Sequence, residues 1–339
     1  MDKNSNDKIL LAHGGGGLLS SSLLKNTILP KIKGVNSDLP DSANLLLDSN
    51  DILFTTDSYV VKPLFFRGGD IGKLAVCGTI NDLAVAGAKP IALSLALIIE
   101  TGLDMDTLNR VLDSIGTAAK ENNVEIVTGD TKTVNTGDAD QLFINTAGIG
   151  VKLPRVNLGF DRIKKGDNII LSGTIGDHGM TVISQREDIS FQSSLKSDCA
   201  ALSPLTAKLL EKPEHVKFMR DPTRGGLAAT LNEIAEQTKM NILIRQDDIP
   251  VLPDVQAAAD MLGFDVLNIA NEGKLVAVVS QQNTDHYLDI CRNHPLGKNA
   301  AVIGTVTETS ENPMVELKTK IGGLRIVQMP YGRELPRIC

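Results

Sequence analysis

The sequence predicts a mixed α/β (α+β) protein of two domains. Strand-like and helix-like segments alternate along most of the chain, the pattern of a sheet covered by helices. A length of 339 residues makes two domains the default expectation. Between residues 153 and 166 the composition turns polar, with Pro154 and the run Lys164-Lys165-Gly166, and the alternation resumes beyond it. These observations divide the chain into an N-terminal domain over 1–153, a C-terminal domain over 154–328 and a tail over 329–339.

Each element has a local reason. DILFTTDSYVV at 51–61 is rich in β-branched and aromatic residues and reads as a strand with a polar centre. Residues 70–88 have helical spacing and many small side chains. Residues 90–100 read as a buried apolar strand, and Asp104 or Asp106 caps a helix running to about Asn122. Strands are expected over 124–134 and 141–152. In the second half the pattern predicts a strand at 168–172 and helices from His178, over 204–210 and over 226–238. Strands follow near 242–245 and 275–280, then a last strand pair near 301–306 and 324–328. The tail has no helical or strand period and reads as a mobile arm.

Composition excludes several classes. Acidic residues outnumber basic ones by 41 to 34, for a net charge of −7, which disfavours a nucleic-acid surface. Aromatic residues are only 3 % and Trp is absent, so the cores must be aliphatic. No run of 18 apolar residues suggests a membrane span, and the apolar stretch near Ile9 is too short for a signal peptide. The four cysteines, Cys77, Cys199, Cys291 and Cys339, are far apart with no CxxC. Free thiols suit a reducing cytoplasm, the expected location.

Several motifs carry chemistry. His13-Gly14-Gly15-Gly16-Gly17 either lies against a phosphate or is a linker. Neither a P-loop nor a GxGxxG fingerprint is present, so a nucleotide would bind in another way. Asp57, Asp82, Asp130 and Asp221 are lone aspartates in apolar or Gly-rich surroundings. Singly each reads as a cap, turn or ion-pair residue. Together they could hold Mg²⁺ and, through it, phosphates, because buried carboxylates need a partner. Asp221-Pro222-Thr223-Arg224-Gly225-Gly226 precedes a helix whose N-terminus could attract phosphate, assisted by Arg224. Gly176-Asp177-His178-Gly179 follows the same logic, with His178 as readily a packed or capping residue as a catalytic one. Lys132 and Glu272 stand beside expected turns, either as solvated charges or as proton-transfer groups.

The chain ends on Cys339. A CaaX box needs its cysteine four residues from the end, so prenylation is excluded. A nucleophile or carrier on a swinging arm remains. The terminal carboxylate raises the thiol pKa while Arg337 lowers it, leaving no net direction. Ten residues of extended chain reach roughly 33–36 Å.

These stretches together resemble the HypE family of hydrogenase maturation factors, in the PurM-like (aminoimidazole-ribonucleotide synthetase related) ATP-binding superfamily. The resemblance rests on ILLAHGGGG at 9–17, residues 54–90, VTGDTKTV at 127–134, GDHGM at 176–180, DPTRGGLA at 221–228, NEG at 271–273 and the terminal PRIC. It departs at Arg67, where proline is expected. The resemblance implies a two-domain PurM-like fold whose N-terminal domains pair in a homodimer. ATP would lie in the dimer cleft with Mg²⁺, beside His13, Gly14, Gly15, Gly16 and Gly17. It further implies that Asp57, Asp82, Asp130 and Asp221 form the Mg²⁺–phosphate set, with Asp177, Thr223 and Arg224 beside the nucleotide. Lys132 and Glu272 become a proton-transfer pair with Glu272 as base. Cys339 becomes the carrier of a carbamoyl group loaded by a HypF-type carbamoyltransferase. Its dehydration to a thiocyanate would supply cyanide through a HypC–HypD complex. The competing readings are another superfamily synthetase or small-molecule kinase, which would not need Cys339, and a non-enzymatic scaffold.

Overall fold

The computed structural model describes residues 8–14, 17–32, 42–186, 195–330 and 338–339. A short helix α1 (Leu18–Leu23), continued as a π-helical turn over Leu24–Ile28, precedes the first sheet. That sheet contains β1 (Ile52–Tyr59), β4 (Ala88–Glu100), β5 (Glu125–Val134) and β6 (Leu142–Lys152), in the order β1-β6-β4-β5. β4 and β5 run parallel, and the other pairs are antiparallel. The two-residue strands β2 (Phe65–Phe66) and β3 (Gly69–Asp70) form a small hairpin beside it.

Helices α2 (Ile71–Val85) and α3 (Met105–Glu121) accompany this sheet. Asp70 caps α2 by accepting the amides of Gly72 and Lys73 at 2.8 and 3.2 Å. α2 is buried on nearly every side, because it meets the sheet, α3 and the second domain. α3 is amphipathic: Leu108, Val111, Leu112, Ile115, Ala118 and Ala119 are its buried stripe. The opposite face of the sheet is open in the single chain, with Phe54 68 % and Ile52 46 % exposed.

The second domain is a seven-stranded sheet in the order β13-β12-β9-β11-β7-β10-β8. Its strands are β7 (Asn168–Leu171), β8 (Val216–Arg220), β9 (Met240–Arg245), β10 (Val276–Val279), β11 (Ala301–Thr309), β12 (Val315–Lys318) and β13 (Leu324–Val327). Its helices are α4 (Asp177–Arg186), α5 (Ser203–Leu209), α6 (Gly226–Thr238), α7 (Pro253–Leu262) and α8 (Thr284–Arg292). β7 and β10 are covered on both faces, so their sequences are continuous apolar runs. Alternate side chains enter separate cores. Ile169, Leu171, Val276 and Val278 join Leu227 and Leu231 of α6. Ile170, Ala277 and Val279 join Leu205 and Leu209 of α5 and Tyr287 of α8.

Two expectations change. The segments near 301–306 and 324–328 are not a pair: β11 lies between β7 and β9, while β13 pairs with β12. β12 has only four residues, too short for a period to stand out. The tail expected to be a mobile arm lies, over 331–337, outside the described residues. Its last two residues are docked, with Ile338 5 % exposed and Cys339 packed against the core of the first domain.

Candidate active site

β1, α2 and the loop before α6 bring three carboxylates to one edge of the first sheet. Thr55 donates to Asp82 at 2.8 Å, which fixes that carboxylate on α2 against β1. Arg224 reaches across from the second domain to Asp57, 3.9 Å away. Burial raises the Asp82 pKa; the Thr55 hydrogen bond offsets this, and the neighbouring Asp57 adds to it. Asp221 is 8 % exposed, and burial, followed by the charge of Asp82, pushes its carboxyl up to about 7. Thr223 lies in the same turn, its amide donating to the Asp221 carbonyl at 3.0 Å. Hard oxygen donors in this arrangement suit Mg²⁺. Among the described residues of the single chain, no three His, Cys, Asp or Glu groups converge tightly enough to hold a metal.

Glu272 stands beneath these carboxylates, 3 % exposed, and its Oε1 has no hydrogen-bond partner among the described residues. Burial raises its pKa well above the ordinary carboxylate range, and Asp198, Asp221 and Asp57 raise it further. It is not the solvated charge that its turn sequence allowed. Three polar side chains fix its loop. Asn271 accepts the Gly176 amide at 2.8 Å and donates to the Pro222 carbonyl at 2.9 Å, joining the GDHG, DPTR and NEG segments. The Asp198 carboxylate accepts the amides of Glu272 and Gly273. Asn81 of α2 donates to the Ala200 and Glu272 carbonyls and accepts the Leu202 amide.

Cys339 lies within electrostatic reach of Glu272. Burial pushes its thiol up to about 12, and the Glu272 charge acts in the same direction. Asp177, expected beside nucleotide, begins α4; one carboxylate oxygen accepts from Thr174 and lies 3.6 Å from Lys274, while Oδ1 has no hydrogen-bond partner among the described residues.

Asp130 and Lys132 are at the other edge of the sheet. Asp57 registers with Thr146, Thr146 with Leu95, and Leu95 with Gly129, the residue before Asp130. That crossing is three strands wide, roughly 14 Å at ~4.8 Å per strand. Asp130 and Lys132 register with Ala96 and Ile98, on the open face of the sheet. They form an exposed ion pair at 3.1 Å. The N-terminal segment packs beside them. Thr133 donates to the Leu11 carbonyl at 2.7 Å, and a Cβ on Gly14 would lie 2.3 Å from the Thr133 hydroxyl. Gly14 is thus a close backbone contact rather than free linker, with His13 alongside and Gly17 at the start of α1. Gly15 and Gly16 lie outside the described residues. The expected set therefore divides into two half-sites: Asp57, Asp82, Asp221, Thr223, Arg224, Glu272 and Cys339 at one edge, His13, Gly14, Asp130 and Lys132 at the other.

Asn81, Asp198 and Ser197 escape the sequence reading. Asn81 had a signal, a second polar residue beside Asp82 in an otherwise apolar helix. Asp198 and Ser197 had none, since their partners lie far along the chain.

Residues 40–152 match the model for the N-terminal domain of AIR synthase related proteins, and residues 164–315 match the model for the C-terminal domain. The carbamoyl dehydratase HypE of Rhizobium leguminosarum bv. viciae is 46 % identical over 340 residues, covering 99 % of this chain and 96 % of that protein. A crystal structure of the hydrogenase maturation protein HypE in complex with ATP superposes with a TM-score of 0.92 at 43 % identity, covering 97 % of this chain and 99 % of that one. HypE from a HypE–HypF complex superposes with a TM-score of 0.80 at 43 % identity, over 93 % of this chain and 100 % of that one. The chain therefore belongs to the AIR synthase related proteins and, among them, to the HypE family.

Proposed function

We propose that this protein is an ATP-dependent carbamoyl dehydratase that carries its substrate on Cys339. The γ-phosphoryl group of ATP is transferred to the oxygen of a Cys339 thiocarboxamide, and ADP leaves. The oxygen, a poor leaving group, becomes part of a phosphate, a good one. Loss of phosphate and of the two N–H protons leaves a nitrile on sulfur, a thiocyanate. Such transfer needs alignment and charge neutralisation more than covalent help. Mg²⁺ would supply that neutralisation, held by Asp57, Asp82 and Asp221 together with Asp130.

The observation that carries this reading is the seat of Cys339 beside a buried Glu272 with an unpartnered oxygen. Glu272 takes the N–H protons; burial and the neighbouring carboxylates Asp198 and Asp221 raise its affinity for a proton. Lys132 orients the reacting oxygen or relays a proton. A homodimer joined through the open sheet face would place one chain's Asp130 and Lys132 beside the other's Asp57 and Glu272. The exposed Ile52, Phe54 and Ile98 support that pairing. ATP would then lie between chains, with His13 and the glycines at 14–17 along its phosphates.

A thiol held up to about 12 is a poor nucleophile. Loading therefore takes place with the tail withdrawn, on a HypF-type carbamoyltransferase, and the finished cyanide passes to a HypC–HypD complex. All of this fits a protein of the cytoplasm; no helix among the described residues is long and apolar enough to cross a membrane. The test is mass spectrometry of the C-terminal peptide after carbamoylated protein meets ATP. Loss of the mass of one water is expected. An unchanged peptide with ATP consumed would favour a superfamily kinase or synthetase instead.

A further inference from the structure

Ile338 and Cys339 sit in a socket made by α4, the segment at 195–200 and the loop before Asn271. Ile338 supplies two anchors. Its side chain lies over Gly179, where an added Cβ would stand 3.3 Å from the Ile338 Cδ1 and 2.5 Å from the Ile269 side chain. Its carbonyl oxygen lies 2.6 Å from the Nε2 of His178, a residue with 0 % exposure. Among the described residues, no other hydrogen bond reaches Ile338 or Cys339.

We propose that His178 is a positioning residue for the dehydration, a neutral imidazole whose Nε2–H grips the Ile338 carbonyl and so holds the Cys339 sulfur beside Glu272. The inference rests on the function proposed above and adds to it the device that seats the substrate.

The hydrogen bonds assign the tautomer. A carbonyl oxygen only accepts, so Nε2 carries the hydrogen. The Ser197 hydroxyl is 2.8 Å from Nδ1 and already accepts the Cys199 amide at 3.0 Å. In a neutral ring with its hydrogen on Nε2 the Nδ1 is bare, and the Ser197 hydroxyl donates to it while accepting the Cys199 amide. Burial lowers the His178 pKa, consistent with a neutral ring. Phe66 stands edge-on to the imidazole, with ring centroids 5.3 Å apart and planes at 85°, which limits its rotation. The relay thus runs from Cys199 N–H through Ser197 and His178 to the tail.

Gripping the backbone one residue before the cysteine has a chemical consequence. The contact is the same whether the sulfur carries nothing, a carbamoyl group or a nitrile. It is also a single hydrogen bond, so it orders the arm without holding it permanently, and the tail can still leave for loading and for delivery.

The test uses the full chain as wild type, His178→Phe, His178→Gln and Ser197→Ala. The first readout is the rate at which iodoacetamide alkylates Cys339, followed on the C-terminal peptide without ATP. Losing one buried hydrogen bond should speed alkylation about tenfold in His178→Phe, and His178→Gln, which keeps a donor near the Nε2 position, should return it to within about threefold of wild type. A wild-type rate in a folded His178→Phe protein overturns the proposal. Where that variant does not fold, Ser197→Ala decides: loss of the tautomer-fixing partner should raise the rate about threefold, and no rise overturns it. The second readout is turnover of carbamoylated protein, where kcat should fall in His178→Phe with KM for ATP unchanged. If wild type loses no water while the alkylation order holds, the grip stands and the dehydratase reading fails. If wild type loses water and His178→Phe matches it in both readouts, the grip fails alone.

Discussion

Asn81 of α2 donates its side-chain amide to the carbonyl oxygen of Glu272, 3.3 Å away and in the other domain. The same amide reaches the Ala200 carbonyl at 3.1 Å, and its oxygen accepts the Leu202 amide at 2.7 Å. One residue therefore sets the height of the proposed base relative to the helix bearing Asp82. It is 1 % exposed, so water cannot replace what is removed. Asn81→Ala leaves a buried Leu202 N–H and the Ala200 carbonyl without partners, and leaves the Glu272 carbonyl with only the Ala200 amide. A loss of about 2–4 kcal/mol is expected from urea unfolding. Asn81→Asp should be at least as damaging, because a carboxylate accepts but cannot donate to carbonyls. An unfolding midpoint within error of wild type would mean that the domains are not joined through this residue.

Asp221 is expected to make stability depend on pH in the direction opposite to a salt-bridged aspartate. Its carboxyl is raised from 3.8 to about 7 in the folded chain. Between those values the folded state binds more proton than the unfolded state, so stability falls as pH rises. Asp221→Asn removes the repulsion with Asp82 and Asp57 and should raise the melting temperature at pH 8, by a few degrees at about 2–4 °C per kcal/mol. At pH 4, where the wild-type carboxyl is already protonated, the two should melt together. Mg²⁺ with ATP should stabilise wild type more than the variant, since a cation relieves the same repulsion. A variant less stable than wild type at pH 8 would contradict the crowding of these carboxylates.

Legibility from sequence followed the physics of each segment. α3 was readable because one face is buried and the other wet, giving its polar and apolar residues a helical period. α2 was readable from its small residues, and its buried Asp82 stood out because an acid in such a helix requires a reason. β12 was not, since Val315 to Lys318 is too short to show a period and takes its place by pairing with a strand some seventy residues earlier. Motif residues were visible singly, but no local pattern could say that Asp57 and Asp130 occupy opposite edges of one sheet. That separation follows from strand order, which is a property of long-range pairing. The tail was read as an arm because no period crosses it. Its seat depends on His178, 160 positions away, and on a bare Gly179 that only acquires meaning once Ile338 lies over it.

Glu272→Gln should separate binding from chemistry. The carboxyl has a pKa well above the ordinary range, chiefly from burial. The amide is nearly isosteric and relieves the like charges of Asp198 and Asp221, so the variant should fold and bind ATP. Its turnover should fall by about 10²–10⁴, the usual contribution of a positioned base. The pH dependence supplies a second check. Because the folded pKa is raised, the basic form grows only as pH climbs above the ordinary carboxylate range, and wild-type kcat should rise with it. That limb should vanish in Glu272→Gln. A variant retaining the wild-type rate, or the same rising limb, would transfer the role of base to another group.

The two half-sites make a prediction that a single-chain active site does not share. Glu272 and Lys132 stand at opposite edges of one chain's first sheet, and the proposed homodimer brings Lys132 of one chain to Glu272 of the other. Glu272→Gln and Lys132→Ala homodimers should each be nearly inactive, since every site has one defect. Mixing the two after dissociation, or co-expressing them, yields heterodimers for half the population by random pairing. In each heterodimer one site gathers both substitutions and the other gathers neither, so about a quarter of wild-type activity should return. Were both residues used within one chain, every site in the mixture would keep one defect and nothing would return. Phe54→Asp provides the control, because a carboxylate on the open sheet face, where Phe54 is 68 % exposed, should oppose pairing. Sedimentation should show monomers for that variant, and adding the substitution to both chains should abolish the rescue. Dimers that form on mixing without any recovered activity would place Lys132 and Glu272 in the same chain's site and remove the argument from the divided sheet.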